Sequence, residues 1–125
     1  MINLRKLARG VIAASVLGLT GILAQTESAL AGSQRGQASF YSNWYNSRTM
    51  ANGQRFYNNS DSCAHKTLQF GTVVNIRNTR NGRRTTCVVR DRGPYVSGRV
   101  IDLSQSTFSQ IAPLSQGLVN VEISW

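Results

Sequence analysis

The stretch Cys-Val-Val-Arg-Asp-Arg-Gly-Pro-Tyr-Val-Ser-Gly-Arg-Val-Ile-Asp-Leu-Ser, residues 87–104, indicates two short strands joined by a Gly-Pro turn. The first strand ends at Asp91, between Arg90 and Arg92. Because side chains alternate along a strand, we expect both arginines to point away from the face that carries Asp91. Acidic residues are scarce, five against 14 Lys and Arg, and Asp91 is therefore our candidate catalytic group.

The first 31 residues have the pattern of a signal peptide. Basic residues precede a short apolar run and a small-x-small cleavage motif: Arg5, Lys6, Arg9, residues 11–24 and Ala29-Leu30-Ala31. An uncleaved membrane anchor is the alternative, but Gln25 interrupts the run before the roughly 18 apolar residues that a span needs. No Cys lies near the cleavage motif, so we expect no lipid anchor. The sequence predicts a signal peptide over residues 1–31 and one exported domain over residues 32–125.

The two cysteines, Cys63 and Cys87, both lie in the predicted exported domain. Disulfides are the usual state of cysteines in an oxidising compartment, so we expect a Cys63–Cys87 bond. A thiol nucleophile is the alternative, and the only His of the chain, His65, lies two residues from Cys63. Nothing else in the sequence marks a thiolate site.

The chain is strongly basic, with a formal net charge of +9. Eleven of the 14 Lys and Arg and four of the five acidic residues lie in residues 32–125, so the predicted exported domain is also basic. Its charge favours an anionic envelope polymer or membrane surface as partner rather than nucleic acid. Solubility alone is the other explanation for most of these arginines.

The exported part has a β-rich pattern of short apolar runs separated by turn residues. We predict strands over residues 37–41, 72–78, 84–90 and 99–103, a last strand with Val119, Val121, Ile123 and Trp125 on one face, and a short helix capped by Ser104 and running through Ile111. The Asn81-Gly82 pair predicts a hairpin, and residues 42–56 are too polar for a regular element. These elements together predict a small closed barrel.

Seven blocks carry a resemblance to a known family: Gly36-Gln37-Ala38-Ser39-Phe40-Tyr41, Thr49-Met50-Ala51-Asn52-Gly53, Ala64-His65-Lys66-Thr67-Leu68, Phe70-Gly71-Thr72, Asn81-Gly82-Arg83, Asp91-Arg92-Gly93-Pro94-Tyr95 and Gly98-Arg99-Val100-Ile101-Asp102-Leu103-Ser104. In order and spacing the chain resembles the rare lipoprotein A (RlpA) family. The resemblance implies a six-stranded double-psi β-barrel, the fold of expansins and barwin-like proteins. It also implies peptidoglycan glycan strands as the ligand, lytic transglycosylase activity, and a place in the periplasm or the extracellular cell wall of a bacterium.

The resemblance also assigns site residues. Asp91 falls on the family's catalytic Asp, and His65 on its functionally important His. The family's acidic residue after Ala-Asn-Gly is Gln54 here, which cannot ionise, and the family's lipid-bearing Cys and C-terminal glycan-binding repeat are missing from this sequence. The candidate substrate-binding residues are polar or aromatic side chains within or beside the blocks: Tyr41, Trp44, Asn52, Gln54, Lys66, Arg92 and Tyr95.

A lytic transglycosylase needs no activated water, so Asp91 alone can donate one proton and accept another. We expect Asp102 to serve a helix cap or turn, and the rings of Phe40, Phe56 and Phe70 to pack in the core. We expect no metal, no cofactor and a monomer. Two alternatives from other classes stay open: a non-catalytic expansin-like wall-binding or loosening module, and a disulfide-stapled effector of the barwin type.

Overall fold

The computed structural model describes residues 31–125, and the predicted signal peptide lies outside the described residues except for Ala31. Residues Gly32–Trp125 form one compact unit. It contains six strands, which we number in chain order: β1 Ser33–Phe40, β2 Ser62–Ala64, β3 Val73–Asn78, β4 Arg84–Asp91, β5 Arg99–Leu103 and β6 Val119–Ser124. One α-helix, α1, spans Gln105–Phe108, and two 3₁₀ turns span Asn43–Tyr45 and Leu114–Gln116. In this part of the chain no helix is long and apolar enough to cross a membrane.

The six strands close into a barrel in the order β1-β5-β2-β4-β3-β6. Two of the pairs are parallel, β1 with β5 and β2 with β4, and the other four are antiparallel. A closed barrel leaves no unpaired strand edge. The predicted six-stranded double-psi β-barrel with one short helix is confirmed.

The local predictions were mostly confirmed, with three differences. The strand β2 was missed, because three residues are too few to show a two-residue period. The first strand begins at Ser33 rather than at residue 37, because its polar start pairs with the end of β6. Helix α1 ends at Phe108 rather than Ile111, since the chain tightens into 3₁₀ bonds such as Ile111 N–H to Phe108 O, 3.0 Å.

The main core is formed by the strands of the barrel together with α1 and the turn that follows it. Fifteen buried residues belong to this cluster: Ala38, Cys63, Val74, Ile76, Cys87, Val89, Val100, Ile101, Leu103, Phe108, Ile111, Ala112, Val119, Val121 and Ile123. Cys63 and Cys87 form the predicted disulfide within this core, with their Cα atoms 5.9 Å apart. It ties β2 to β4, the strand that ends at Asp91.

A second, smaller cluster lies under the loop between β1 and β2. It consists of Tyr41, Met50, Phe56 and Ala64, each at most 5% exposed. Burial of these side chains contributes roughly 1.5–3 kcal/mol for each large apolar residue, and it fixes the loop against the ends of β2 and β4. This polar segment, which includes the 3₁₀ turn Asn43–Tyr45, is therefore held in place beside Asp91.

Candidate active site

The carboxylate of Asp91 accepts three hydrogen bonds at the end of β4. The backbone N–H groups of Ala51 and Arg92 donate to Oδ1, at 2.8 and 2.9 Å, and the hydroxyl of Tyr41 donates to Oδ2, at 2.6 Å. Oδ1 is thus occupied by two donors, whereas Oδ2 has one. Because Asp91 is only partly buried, Oδ2 is the oxygen available to a bound molecule.

The donor at Ala51 is positioned by a small hairpin over residues 49–55, which we call the 49–55 hairpin. Thr49 pairs with Arg55, and Met50 N–H donates to Gln54 O at 2.7 Å. The tip is fixed to β4 because Asn52 N–H donates to Arg90 O at 3.1 Å. This backbone donor is a functional group that the sequence analysis missed, since any residue supplies an N–H.

Tyr41 lies differently from our expectation. We predicted its ring as a sugar-stacking surface, but the residue is 5% exposed and its ring is stacked on Phe56 with centroids 4.1 Å apart. Only the hydroxyl reaches the site. Burial, followed by the hydrogen bond to Asp91, raises the pKa of Tyr41 well above its ordinary value. Tyr41 is therefore a neutral hydrogen-bond donor to Asp91 rather than a platform for a sugar.

Asn52 and Gln54 contact each other at the tip of the 49–55 hairpin. Asn52 Nδ2 donates to Gln54 Oε1 at 2.9 Å, and Gln54 N–H donates to Asn52 Oδ1 at 3.0 Å. Both are beside Ala51 and therefore near Asp91. Gln54 makes no hydrogen bond to Asp91 within the described part of the chain, so it shapes the hairpin tip.

The two arginines beside Asp91 are turned away from its carboxylate, as predicted. Arg90 donates to Asp61 and to Ser62, at 2.6 and 2.9 Å. Arg92 donates through its guanidinium to His65 O at 3.1 Å, and its Cζ lies 4.1 Å from the centre of the Phe70 ring.

The ring of Phe70 lies under the Arg92 guanidinium and is 42% exposed, so the prediction that it packs in the core is wrong. Phe56, 1% exposed, fits that prediction, and Phe40 packs against the core while partly exposed.

A second carboxylate lies in the same cross-strand row as Asp91. In the strand registers Ala64 of β2 is the partner of both Asp91 of β4 and Asp102 of β5. Directly paired residues project from the same face, and two strand spacings put the Asp91 and Asp102 Cα atoms roughly 10 Å apart. Ala64 between them is 2% exposed, because it packs with Tyr41 and Phe56 in the smaller cluster.

Asp102 is not the helix cap that we predicted. Ser104 caps α1, because its Oγ accepts from Thr107 N–H at 3.2 Å, whereas Asp102 Oδ1 accepts from Ser39 Oγ at 3.2 Å. Burial raises the pKa of Asp102 to about 6, against the lowering effects of Ser39 and Arg99. The position of Asp102 in the same row as Asp91 follows from its pairing with Ala64. This pairing could be predicted only if β2 had been recognised as a strand.

The imidazole of His65 is buried and turned away from the Asp91 carboxylate. Nδ1 accepts from the N–H groups of Thr67 and Leu68, both at 3.1 Å, and Nε2 lies 3.0 Å from Gln34 Oε1. Two backbone donors on Nδ1 place the proton on Nε2. Burial, then the charges of Arg92 and Lys66, lowers the pKa of His65, so the ring is neutral and holds the turn after β2.

His65 reaches Asp91 through the backbone. Its N–H donates to Asp91 O at 3.3 Å, and its own carbonyl accepts from the Arg92 guanidinium. Within residues 31–125 no group of three His, Cys, Asp or Glu side chains could hold a metal ion. Through these two hydrogen bonds the His65 backbone holds the backbone of Asp91 and the side chain of Arg92.

The three remaining predicted substrate-binding residues are exposed side chains. Lys66 lines a separate cavity of about 440 Å³ together with His65 and Trp125. Tyr95, 76% exposed, follows the Gly93-Pro94 turn next to Asp91. Trp44, 63% exposed, carries the Arg48 guanidinium on its ring, 3.4 Å from the centroid.

Comparison with known proteins agrees with this fold. Residues 33–123 match the family described as "Lytic transglycolase". The "Probable endolytic peptidoglycan transglycosylase RlpA" of Synechocystis is 44% identical over 88 residues, which cover 70% of this chain and 27% of that protein. The "Endolytic peptidoglycan transglycosylase RlpA" of Campylobacter jejuni is 38% identical over 88 residues, covering 70% of this chain and 32% of the relative. The chain belongs to the RlpA family of double-psi β-barrel proteins.

Among solved structures, the Streptomyces papain inhibitor is similar to this chain, with a TM-score of 0.60 and 26% identity over 76% of this chain and 94% of that one. The matched part of this chain corresponds to about a third or less of the two RlpA relatives.

Proposed function

We propose that this protein is an endolytic peptidoglycan lytic transglycosylase, a lyase that cleaves the glycan strand to 1,6-anhydro-muramyl products in bacterial cell-wall remodelling. The observation that carries the proposal is the partly buried Asp91 carboxylate, held by Ala51, Arg92 and Tyr41 at the end of β4. The family of the chain and the names of its relatives support the same reaction.

In the proposed reaction the glycosidic bond between the muramyl C1 and the leaving oxygen breaks, and that oxygen takes the proton of Asp91. The C6 hydroxyl of the same muramyl residue bonds to C1 and releases its proton to Asp91. The catalytic residue ends in its starting state, and no water is consumed. One carboxyl group suffices, in contrast to hydrolases, which use one group as acid and another as base or nucleophile.

The hydrogen bonds around Asp91 suit a group that changes its protonation state. The backbone donors at Ala51 and Arg92 fix Oδ1, so the proton is exchanged at Oδ2. Tyr41 donates to one lone pair of Oδ2, which leaves the other lone pair to carry the proton that passes to the leaving oxygen. The donors on Oδ1 and the Tyr41 hydroxyl together keep Oδ2 aimed at the substrate.

Other residues support this centre without touching the reacting atoms. We assign His65 a positioning role, because it holds the residue 66–68 turn and the backbone of Asp91. Asn52, Gln54 and Tyr95 lie beside Asp91 and are the nearest candidates for contacts to neighbouring sugars. In this proposal the protein is exported, acts on peptidoglycan in the periplasm or the cell wall, and works as a monomer.

The test is to incubate the purified protein with peptidoglycan, both intact and stripped of stem peptides, and to identify the soluble products by mass spectrometry. We expect anhydro-muramyl products from the wild type and none from Asp91→Asn. Asp61→Asn is the matched control, because it removes an exposed carboxylate that pairs with Arg90 outside the site. Equal product release by Asp91→Asn and the wild type would overturn the assignment.

The alternative is a non-catalytic, expansin-like wall-binding or loosening module. Gln54 favours it, because an amide that hydrogen-bonds to Asn52 replaces the family's acidic residue and cannot ionise. Co-sedimentation with the wall, without products from either form of peptidoglycan, would support this alternative.

A further inference from the structure

A second pocket, of about 450 Å³, lies beside the base of the 49–55 hairpin. Six residues line it, and we call it the arginine pocket: Trp44, Asn46, Ser47, Arg48, Thr49 and Arg55. Two guanidinium groups, an amide and two hydroxyls give it the composition of an anion site rather than of an apolar groove. The role proposed for Asp91 makes no use of this pocket.

Both arginines are held in place by neutral groups. Arg48 Nε donates to Trp44 O at 2.8 Å, and Arg48 Cζ lies over the Trp44 ring, 3.4 Å from its centroid. Arg55 donates through one terminal nitrogen to Ser47 O at 2.6 Å. Each guanidinium has five N–H donors, and the remaining ones make no hydrogen bond within residues 31–125. The pocket therefore presents guanidinium donors whose orientation is set by bonds to Trp44 and Ser47.

Neither arginine is neutralised by a carboxylate in the described part of the chain. The ion pairs there join Arg35 and Arg77 to Glu122, and Arg90 to Asp61. The pocket thus combines two uncompensated positive charges on a chain that already carries a formal charge of +9. An anionic ligand would relieve their mutual repulsion.

The wall of the pocket is also conformationally fixed. Ser47 has a φ of 65°, the left-handed region that residues other than glycine seldom adopt. Its N–H donates to Phe56 O at 2.7 Å, and its carbonyl accepts from Arg55. These bonds hold the strained residue in place, so the arginines need little reorganisation to bind a ligand.

We infer that the arginine pocket binds a carboxylate of the glycan strand whose neighbouring sugar occupies the Asp91 site, an inference that rests on the proposed function. Contacting rings connect the Asp91 site with the arginine pocket. The Tyr41 hydroxyl is hydrogen-bonded to Asp91, and the Tyr41 and Tyr45 ring centroids are 5.4 Å apart. The ring centroids of Tyr45 and Trp44 are 5.0 Å apart. A planar guanidinium matches a carboxylate with two parallel hydrogen bonds, which a sugar hydroxyl cannot reproduce.

Peptidoglycan offers such a carboxylate from two sources. When the stem peptide is removed, the lactyl group of muramic acid carries a free carboxylate. When the peptide is present, that group is an amide, and the free carboxylates belong to the peptide. Both sources present the same chemistry to Arg48 and Arg55.

The experiment is an NMR titration of the Asp91→Asn protein that follows the indole N–H signal of Trp44 and the Nε–H signals of Arg48 and Arg55. Three probes separate the sources. N-acetylmuramic acid has a free lactyl carboxylate, N-acetylmuramyl-L-alanyl-D-glutamate has only peptide carboxylates, and N-acetylglucosamine has the same ring without a carboxylate. Binding is read directly, so turnover is not needed.

We expect at least one of the two carboxylate probes to bind about threefold or more tightly than N-acetylglucosamine, and the one that does identifies the source. The preference should disappear in Arg48→Gln/Arg55→Gln and fall in Arg48→Lys, which keeps the charge but loses the planar fork. Arg80→Gln/Arg83→Gln, with the same charge change on the β3–β4 hairpin, should keep the preference.

Equal affinity for all three probes, no shift of the pocket signals, or an equal loss in the two double variants would each overturn the inference. Arg48→Lys keeps it testable if the double glutamine variant fails to fold. A protein that binds the carboxylate probe but releases no anhydro products from peptidoglycan would contradict the proposed activity and leave the pocket assignment standing.

Discussion

Replacing Asp102 by Asn should stabilise the protein at neutral pH and leave its stability nearly unchanged in acid. Asp102 is largely buried and its pKa is raised from 3.8 to about 6, mainly by loss of hydration. A carboxyl group whose pKa is higher in the folded than in the unfolded state favours folding while protonated. That contribution is complete below pH 3.8 and is lost as the pH rises through 6.

The size of the effect follows from the shift. About two pKa units correspond to up to about 3 kcal/mol that ionised Asp102 costs the folded protein above pH 6. Asn imitates the protonated group and keeps an oxygen for the Ser39 hydroxyl, so it avoids this cost. Asp91 and Arg99 also act on Asp102, with opposite signs, and both remain in the variant.

The assay is urea unfolding of wild type and Asp102→Asn, followed by tryptophan fluorescence at pH 4 and at pH 7.5. We expect the free energy of unfolding of the variant to exceed that of the wild type by up to about 3 kcal/mol at pH 7.5, and by much less at pH 4. The same difference at both pH values, or a variant less stable at pH 7.5, would refute the reasoning.

Three further changes have distinct expected results. Glu122→Gln should show the opposite pH dependence, because the hydrogen bond from Arg77 lowers the pKa of Glu122. The variant should be less stable than the wild type at neutral pH, and the difference should decrease as the pH falls through the pKa of Glu122. Urea unfolding at both pH values measures this difference. Cys63→Ser/Cys87→Ser should lower the free energy of unfolding by about 3 kcal/mol or more, as measured by urea denaturation, because the bond closes a chain separation of 24 residues. Tyr41→Phe should fold normally by circular dichroism and lower kcat more than it raises KM, because it removes a donor to Asp91 but leaves the ring packing; an unchanged kcat would contradict this role.

The barrel could be predicted from sequence because its main strands have clear boundaries. The Asn81-Gly82 turn, the β-branched runs on either side and the alternation from Val119 to Ile123 each specify local structure. The strand Ser62–Ala64 could not be predicted, because its stability comes from partners on both sides rather than from its own three residues. Without it, the parallel β2–β4 pair could not be assigned from the residues themselves.

Of the candidate site, only the carboxylate side chain could be predicted from the sequence. Asp91 is prominent as a rare acid at a strand end, but its donor at Ala51 is a backbone group with no sequence signal. The burial of Tyr41 depends on Phe56, fifteen residues further along the chain, and the row that joins Asp91 to Asp102 depends on pairing with Ala64. These are tertiary contacts between residues distant in the chain, and the spacing of apolar residues along the sequence does not indicate them.

The most direct test of the central claim, that Asp91 cleaves the glycan without a water nucleophile, is to run the digestion in ¹⁸O-labelled water and to weigh the new muramyl ends. We predict products that lack the mass of one water and contain no ¹⁸O, formed by the wild type and absent with Asp91→Asn. Reducing ends that carry one ¹⁸O atom would show hydrolysis and contradict the assignment of Asp91 as the single acid and base of a lytic transglycosylase.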